Sequence, residues 1–156
     1  MTVDDFFSWI RNGEVAPIKE LLAIQADWVH RKDNRGYTPL VMAAYYNQTE
    51  IMDLLIKHGA KVDSRDASGN TALMGACFKG YKEAIEHLIE AGADVNEQNA
   101  NGATALTFAC TFNQKEIAKL LIEKGAKVDI KDVRGNTPID HAKMQGIPWA
   151  EELEAM

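Results

Sequence analysis

Apolar residues in this chain come in short bursts that return with a fixed step. Leu40, Leu73, Leu106 and Ile139 stand 33 residues apart, as do Leu55, Leu88 and Leu121, and then Val62, Val95 and Val128. Within a burst the period is helical. Leu40, Ala43 and Ala44 occupy i, i+3 and i+4 and so form one apolar stripe, whose alanines let a neighbouring helix come close. A second burst, with Ile51, Leu54 and Leu55 inward, predicts another helix from about Thr49 to Lys57. Helices of about ten residues are marginal alone. The pairs must therefore stack on one another, and the pattern predicts a quasi-linear solenoid.

The polar and special residues keep the same step. Gly36, Gly69, Gly102 and Gly135 precede Thr38, Thr71, Thr104 and Thr137, which read as N-caps. Pro39 and Pro138 follow two of these caps, at the first helical position, where a missing N–H costs nothing. Asn47, Gly80, Asn113 and Gly146 fall at the ends of the first helices and are the residue types that tolerate a left-handed cap. The pairs Gly59-Ala60, Gly92-Ala93 and Gly125-Ala126 close the second helices. Between units, stretches such as "KVDSRDASGN" predict a tight hairpin-like finger.

With "GYTPLVMAA", "GNTALMGAC", "GATALTFAC" and "GADVN" in this register, the chain resembles the ankyrin repeat over nearly its whole length. The resemblance implies an all-α repeat solenoid of helix-turn-helix units with hairpin-like fingers, forming a single domain over 1–156. Central repeats are expected at 33–65, 66–98 and 99–131. Divergent capping repeats are expected at 1–32, where "IKELL" aligns with "IMDLL", and at 132–156, where Pro148 would start a helix carrying Trp149 and Leu153. The family usually has His after Thr-Pro-Leu, tying finger to finger. Here Val41, Met74, Thr107 and Asp140 stand there, so that network is in question; Asp140 can serve the helix N-terminus, while Val41 and Met74 only pack. Some ankyrin domains are hydroxylated at the Asn of "GADVN", which is Asn96 in this chain.

On a helical wheel Tyr45 and Tyr46 point away from the Leu40 stripe and should face outward. The resemblance places their columns, together with the finger tips, along a concave groove. That groove would carry Tyr37, Tyr45, Tyr46, Phe78 and Phe112, with Arg35, Asn70, Lys79, Arg134 and Met144 beside them. Aromatic and Arg side chains are enriched at binding hot spots, and contiguous exposed apolar surface marks an interaction site. Rings lying flat as filling between inner helices are the structural alternative. Arg31, Lys32, Arg35, Arg65, Lys131 and Arg134 fall in or near the fingers, while Glu83, Glu86, Glu90, Glu116 and Glu123 fall on second helices. Such segregation favours a partner with acidic and apolar side chains; interleaved Asp33, Asp66 and Asp132, which balance the finger cations, leave an ordinary solvated surface as the alternative.

Composition narrows the function further. A formal net charge of −6 disfavours nucleic acid as a partner, and the short apolar runs hold no membrane span. Asp4 and Asp5 stand where a secretory leader wants positive charge, which points to a cytoplasmic location. Cys77 and Cys110 occupy equivalent positions in place of Ala44 and read as buried small residues, not nucleophiles or a disulfide. His30, His58, His87 and His141 sit at different repeat positions and form no ligand set. No phosphate loop, zinc-protease or serine-hydrolase motif occurs. No enzyme, catalytic residue, metal or cofactor is expected, and the expected function is an adaptor, monomeric alone, that binds a protein or peptide through its groove and fingers. The alternative is a structural or regulatory subunit acting through its outer helices or end caps, with "GIPWAEELEAM" supporting self-association.

Overall fold

The computed structural model describes residues 1–156 and contains ten α-helices and no strand. Consecutive helices pack as five pairs: α1 (Val3–Asn12) with α2 (Val15–Ile24), α3 (Pro39–Tyr45) with α4 (Thr49–Lys57), α5 (Ala72–Lys79) with α6 (Lys82–Glu90), α7 (Ala105–Thr111) with α8 (Lys115–Glu123), and α9 (Pro138–Met144) with α10 (Ala150–Glu154). A 3₁₀ turn at Ala26–His30 follows α2. The first helices of the pairs stack in one inner row and the second helices in an outer row. The repeat solenoid predicted by the period is the fold.

The inner row packs more closely than the outer row. Small side chains allow this. Ala43, Ala44, Ala76, Cys77, Ala109, Cys110 and Ala142 are all 0% exposed between successive inner helices. Leu55, Leu88 and Leu121, also fully buried, fill the space between rows, each worth roughly 1.5–3 kcal/mol of apolar burial. Closer spacing on the inner side bends the stack toward the fingers, so the inner helices form its concave face.

Local signals place each helix. Thr38, Thr71, Thr104 and Thr137 all hold extended backbone, and each hydroxyl oxygen accepts the N–H three residues on. Asn47 and Asn113, at φ 53° and 58°, take the left-handed conformation that Gly80 and Gly146 take at the same point. The column where the family has His turns out to serve the helix start. The N–H of the capping threonine is directed at the Met74 sulfur at 3.4 Å, the Thr107 hydroxyl at 2.9 Å and the Asp140 carboxylate at 2.9 Å. Met74 therefore does more than pack, while Val41 is simply buried.

The fingers contain a rule that the sequence reading missed. Asp33, Asp66, Asn99 and Asp132 are also 33 residues apart, and each Oδ1 accepts the N–H groups two and four residues on. The side chain at the base of each finger thus shapes its turn. Neighbouring fingers are joined without histidine: Ala100 N–H donates to Ser68 carbonyl at 3.2 Å, and Val133 N–H to Asn101 carbonyl at 3.0 Å. Asn96 joins two units in the same way, its Nδ2 donating to Gly125 carbonyl and its Oδ1 accepting from Lys127 N–H.

At the C-terminal end α10 begins at Ala150, because Pro148 and Trp149 form the preceding turn. The Trp149 indole N–H donates to Asn113 Oδ1 at 2.7 Å and pins that turn to the unit before it. Trp149 and Leu153 are buried at 6% and 1% exposure, and Trp28 at 6% plugs the opposite end beneath Phe6.

One ion pair couples outer helices to pH. His87 Nδ1 on α6 lies 2.9 Å from the Asp53 carboxylate on α4. That hydrogen bond raises the His87 pKa, with Glu90 and Glu83 adding in the same direction against some desolvation. A raised folded pKa gives stability that is complete below the unfolded value near 6.5 and disappears as pH climbs through the folded value. Thermal melts at pH 5.5 and 8.5 are expected to show a loss on the alkaline side that is smaller in His87→Gln.

Candidate functional site

The inner helices present a series of rings across three repeats. Tyr37, at the base of the first finger, meets Tyr45 on α3 with centroids 5.9 Å apart at 84°. Tyr45 meets Phe78 on α5 at 6.3 Å and 68°. Phe78 in turn meets Phe108 at 6.4 Å and Phe112 at 4.9 Å, both near perpendicular. All four contacts are edge-to-face, the arrangement that the ring quadrupole favours.

The series has a packed side and an open side. Tyr45 was expected to face outward, yet it is half-buried and its ring lies over Gly75, whose absent side chain leaves it room. A Cβ at Gly75 would stand 3.3 Å from that ring. Burial raises the Tyr45 hydroxyl pKa, with smaller contributions from Tyr37 and Asp66. Tyr37 is half-buried as well. Tyr46, Phe78, Phe112 and Met144, by contrast, are 49%, 40%, 46% and 59% exposed along the same face.

Among the polar candidates, Asn70 has its side-chain oxygen engaged within the scaffold. Its Oδ1 accepts from Asn99 Nδ2 at 2.8 Å, so the side chain ties two fingers together. Arg65 is committed too, reaching the Glu97 carboxylate and the Gln98 carbonyl of the next finger. Arg31 stacks over the Trp28 ring at 4.4 Å. Arg35, Lys79 and Arg134 are exposed and enter none of the six ion pairs. At the far end of the face His141 Nε2 lies 2.7 Å from Asp132, and this bond, with the Asn136 and Arg134 amides, holds the Asp132 carboxyl below the usual carboxylate range.

Phe108 was missed in the sequence. It belongs to the column of Met42, Gly75 and His141, one residue outside the Leu40 stripe, and only the stacked neighbour brings it under Phe78. A concavity of about 630 Å³ opens at the N-terminal end of the face. Its floor includes Phe7, Met42 and Tyr45, and its rim includes Arg11, Asn34, Arg35, Tyr46, Phe78 and Lys79.

Nothing in this arrangement assembles a nucleophile or a metal-binding cluster. The thiols of Cys77 and Cys110 are buried and free; burial drives Cys77 strongly upward in pKa and pushes Cys110 up to about 12. No group of three or more His, Cys, Asp or Glu side chains converges as a metal site. No helix is long and apolar enough to cross a membrane.

Comparison with known proteins agrees with the geometry. Residues 7–99 and 73–153 match the family described as ankyrin repeats, three copies. The chain belongs to the ankyrin repeat family, whose members are generally protein–protein interaction modules and typically non-catalytic. It is similar to ankyrin repeat domain-containing protein 49 of Drosophila melanogaster, with 35% identity over 60 residues. That alignment covers 38% of this chain and 28% of the fly protein, so the chain spans little more than a quarter of that relative's length.

Proposed function

We propose that this chain is a non-catalytic adaptor that binds a segment of a partner protein along its concave face. One observation carries the reading. Five rings from three consecutive repeats form an unbroken edge-to-face series, of which Phe78 and Phe112, in contact with each other, stay open to solvent, with exposed Tyr46 and Met144 in the same inner-helix columns. A strip of this kind, rimmed by uncommitted Arg35, Lys79 and Arg134, has the composition of an interface core with polar orienting contacts. Tyr46, Phe78, Phe112 and Met144 are the anchors, and the half-buried Tyr45, itself backed by Tyr37, braces Phe78. Preformed geometry lowers the ordering cost of binding.

The central repeats 33–65, 66–98 and 99–131 supply most of this surface, with 1–32 and 132–156 closing its ends. A cytoplasmic monomer fits this role, and two buried reduced cysteines fit that compartment. The outer-face alternative finds less support, because Trp149 and Leu153, the apolar residues it would need, are already buried inside.

The test compares two variants for binding to partners captured by the wild-type chain. Tyr46→Ala/Phe112→Ala is expected to weaken capture about tenfold or more, as loss of two anchors should. Glu83→Lys/Glu116→Lys, on the outer row, is expected to leave it unchanged. The reverse pattern would assign function to the outer helices.

A further inference from the structure

The aromatic strip is not electrically uniform, and its N-terminal end differs from the rest. There the 630 Å³ concavity is bounded by three cations from three different elements: Arg11 from α1, Arg35 from the first finger and Lys79 from the end of α5. None enters an ion pair. Two carboxylates also line it, Asp4 and Asp33. Asp33 is engaged inwardly, its Oδ1 accepting the Arg35 and Tyr37 amides at 3.0 and 2.9 Å. Asp33 keeps its charge despite these bonds, so the lining carries three cations against two carboxylates, a net excess of one positive charge.

This local excess stands on a chain whose formal net charge is −6. What sets the pocket apart is that its unpaired cations converge on one concavity, whereas Arg65, Lys82, Lys115 and Lys143 are each neutralised by a neighbouring acid, Glu97, Glu86, Glu152 and Glu154. A site where three cations stay unpaired around apolar rings is complementary to a ligand that brings its own carboxylates. The apolar lining sets the other half of the chemistry, because Met42 and Tyr45 on the floor and Phe78 on the rim offer apolar and ring-edge contacts to a large side chain. Concavities of roughly 300–1,000 Å³ enclose compact groups rather than whole domains.

Resting on the groove reading above, we infer that this end pocket takes an acidic-apolar peptide segment of the partner. A large apolar or aromatic side chain seats against Met42, Tyr45 and Phe78, and adjacent Asp or Glu residues reach Arg11, Arg35 and Lys79. The cations orient the segment and set the end of the groove at which it begins. They also exclude basic segments, since like charges brought together in an interface oppose binding.

The experiment pans short random displayed peptides against the whole chain, then measures selected synthetic peptides against variants. Arg35 and Lys79 are exposed and unpaired, so Arg35→Glu/Lys79→Glu is expected to melt like the wild type; Lys79→Glu alone provides a second, milder variant. The expected result is enrichment of peptides joining a large apolar residue to Asp or Glu. Their affinity should fall about tenfold or more in the double variant and fall with added salt, as complementary rim charges require. Lys57→Glu/Lys61→Glu, with the same change in net charge on exposed residues away from the groove, should bind normally. Peptides that need Phe78 but ignore Arg35 and Lys79 overturn this inference and leave the groove reading standing. Peptides indifferent to both, or no binders at all, overturn the two together. Concentration-dependent dimerisation abolished by the charge reversal would make the occupant a second copy. Succinate binding as tightly as the peptides would make it a small dicarboxylate. Either result overturns the assignment to a partner's segment.

Discussion

Gly69→Ala and Gly102→Ala are each expected to cost about 2–4 kcal/mol of stability, while Gly135→Ala costs only about 1–2 kcal/mol. The three glycines hold the same finger position and the same left-handed backbone, at φ 76°, 77° and 84°. Strain from placing an L residue there is common to all three. Surroundings distinguish them. A Cβ on Gly69 would stand 2.8 Å from the backbone nitrogen of Ala100, and one on Gly102 would stand 3.0 Å from the Asp132 Cα and the Val133 nitrogen. Those nitrogens donate the bonds that join one finger to the next, to Ser68 and Asn101. The neighbour is backbone and cannot swing aside. Gly135 meets nothing within 4 Å. Urea unfolding midpoints check the difference. Equal losses at all three sites would mean that the fingers do not nest.

The second large effect is on binding. Phe78→Ala is expected to reduce partner affinity about thirtyfold or more, the scale of a central hot-spot residue, with a smaller effect on the fold. Phe78 touches three other rings, Tyr45, Phe108 and Phe112, so its removal cuts the series in two. It is also 40% exposed, and its truncation leaves a surface notch, not an internal cavity. Leu73→Ala, at 1% exposure, supplies the contrast, with a loss of about 2–5 kcal/mol in stability and, in the population still folded, unchanged affinity. Titration calorimetry beside thermal melts separates the two. A Phe78→Ala chain that binds like the wild type would remove the centre of the proposed interface.

Much of the fold is written in short-range features. A capping Thr, a proline at the first turn and an Asn or Gly at the last act within one helix, so their spacing alone located α3, α5, α7 and α9. The 33-residue step then implied stacking, because short amphipathic helices have nowhere else to bury their stripes. The site is written less fully, since its residues meet only through that stacking. Tyr45 reads as an outward residue of α3 until Gly75 of the next unit makes a seat for it. Asn70 reads as a finger-tip contact, and only the stacked neighbour reveals that Asn99, 29 positions on, also engages its side-chain oxygen. Phe108 appears in neither of the columns that held the tyrosines, and it joins the series diagonally from the following repeat. The Asp33, Asp66, Asn99 and Asp132 rule was within reach. Its period is visible, but Asp33, Asp66 and Asp132 read as balancing charges in the sequence, whereas each of them, and Asn99, accepts from the amides of its own turn.

Amide hydrogen exchange of the chain with and without a bound partner tests the central claim most directly. The account predicts slowed exchange in the finger turns and at the ends of α3, α5 and α7, around Tyr46, Phe78 and Phe112, with α4, α6 and α8 unaltered. Protection concentrated on the outer helices, with the concave face unchanged, would contradict it.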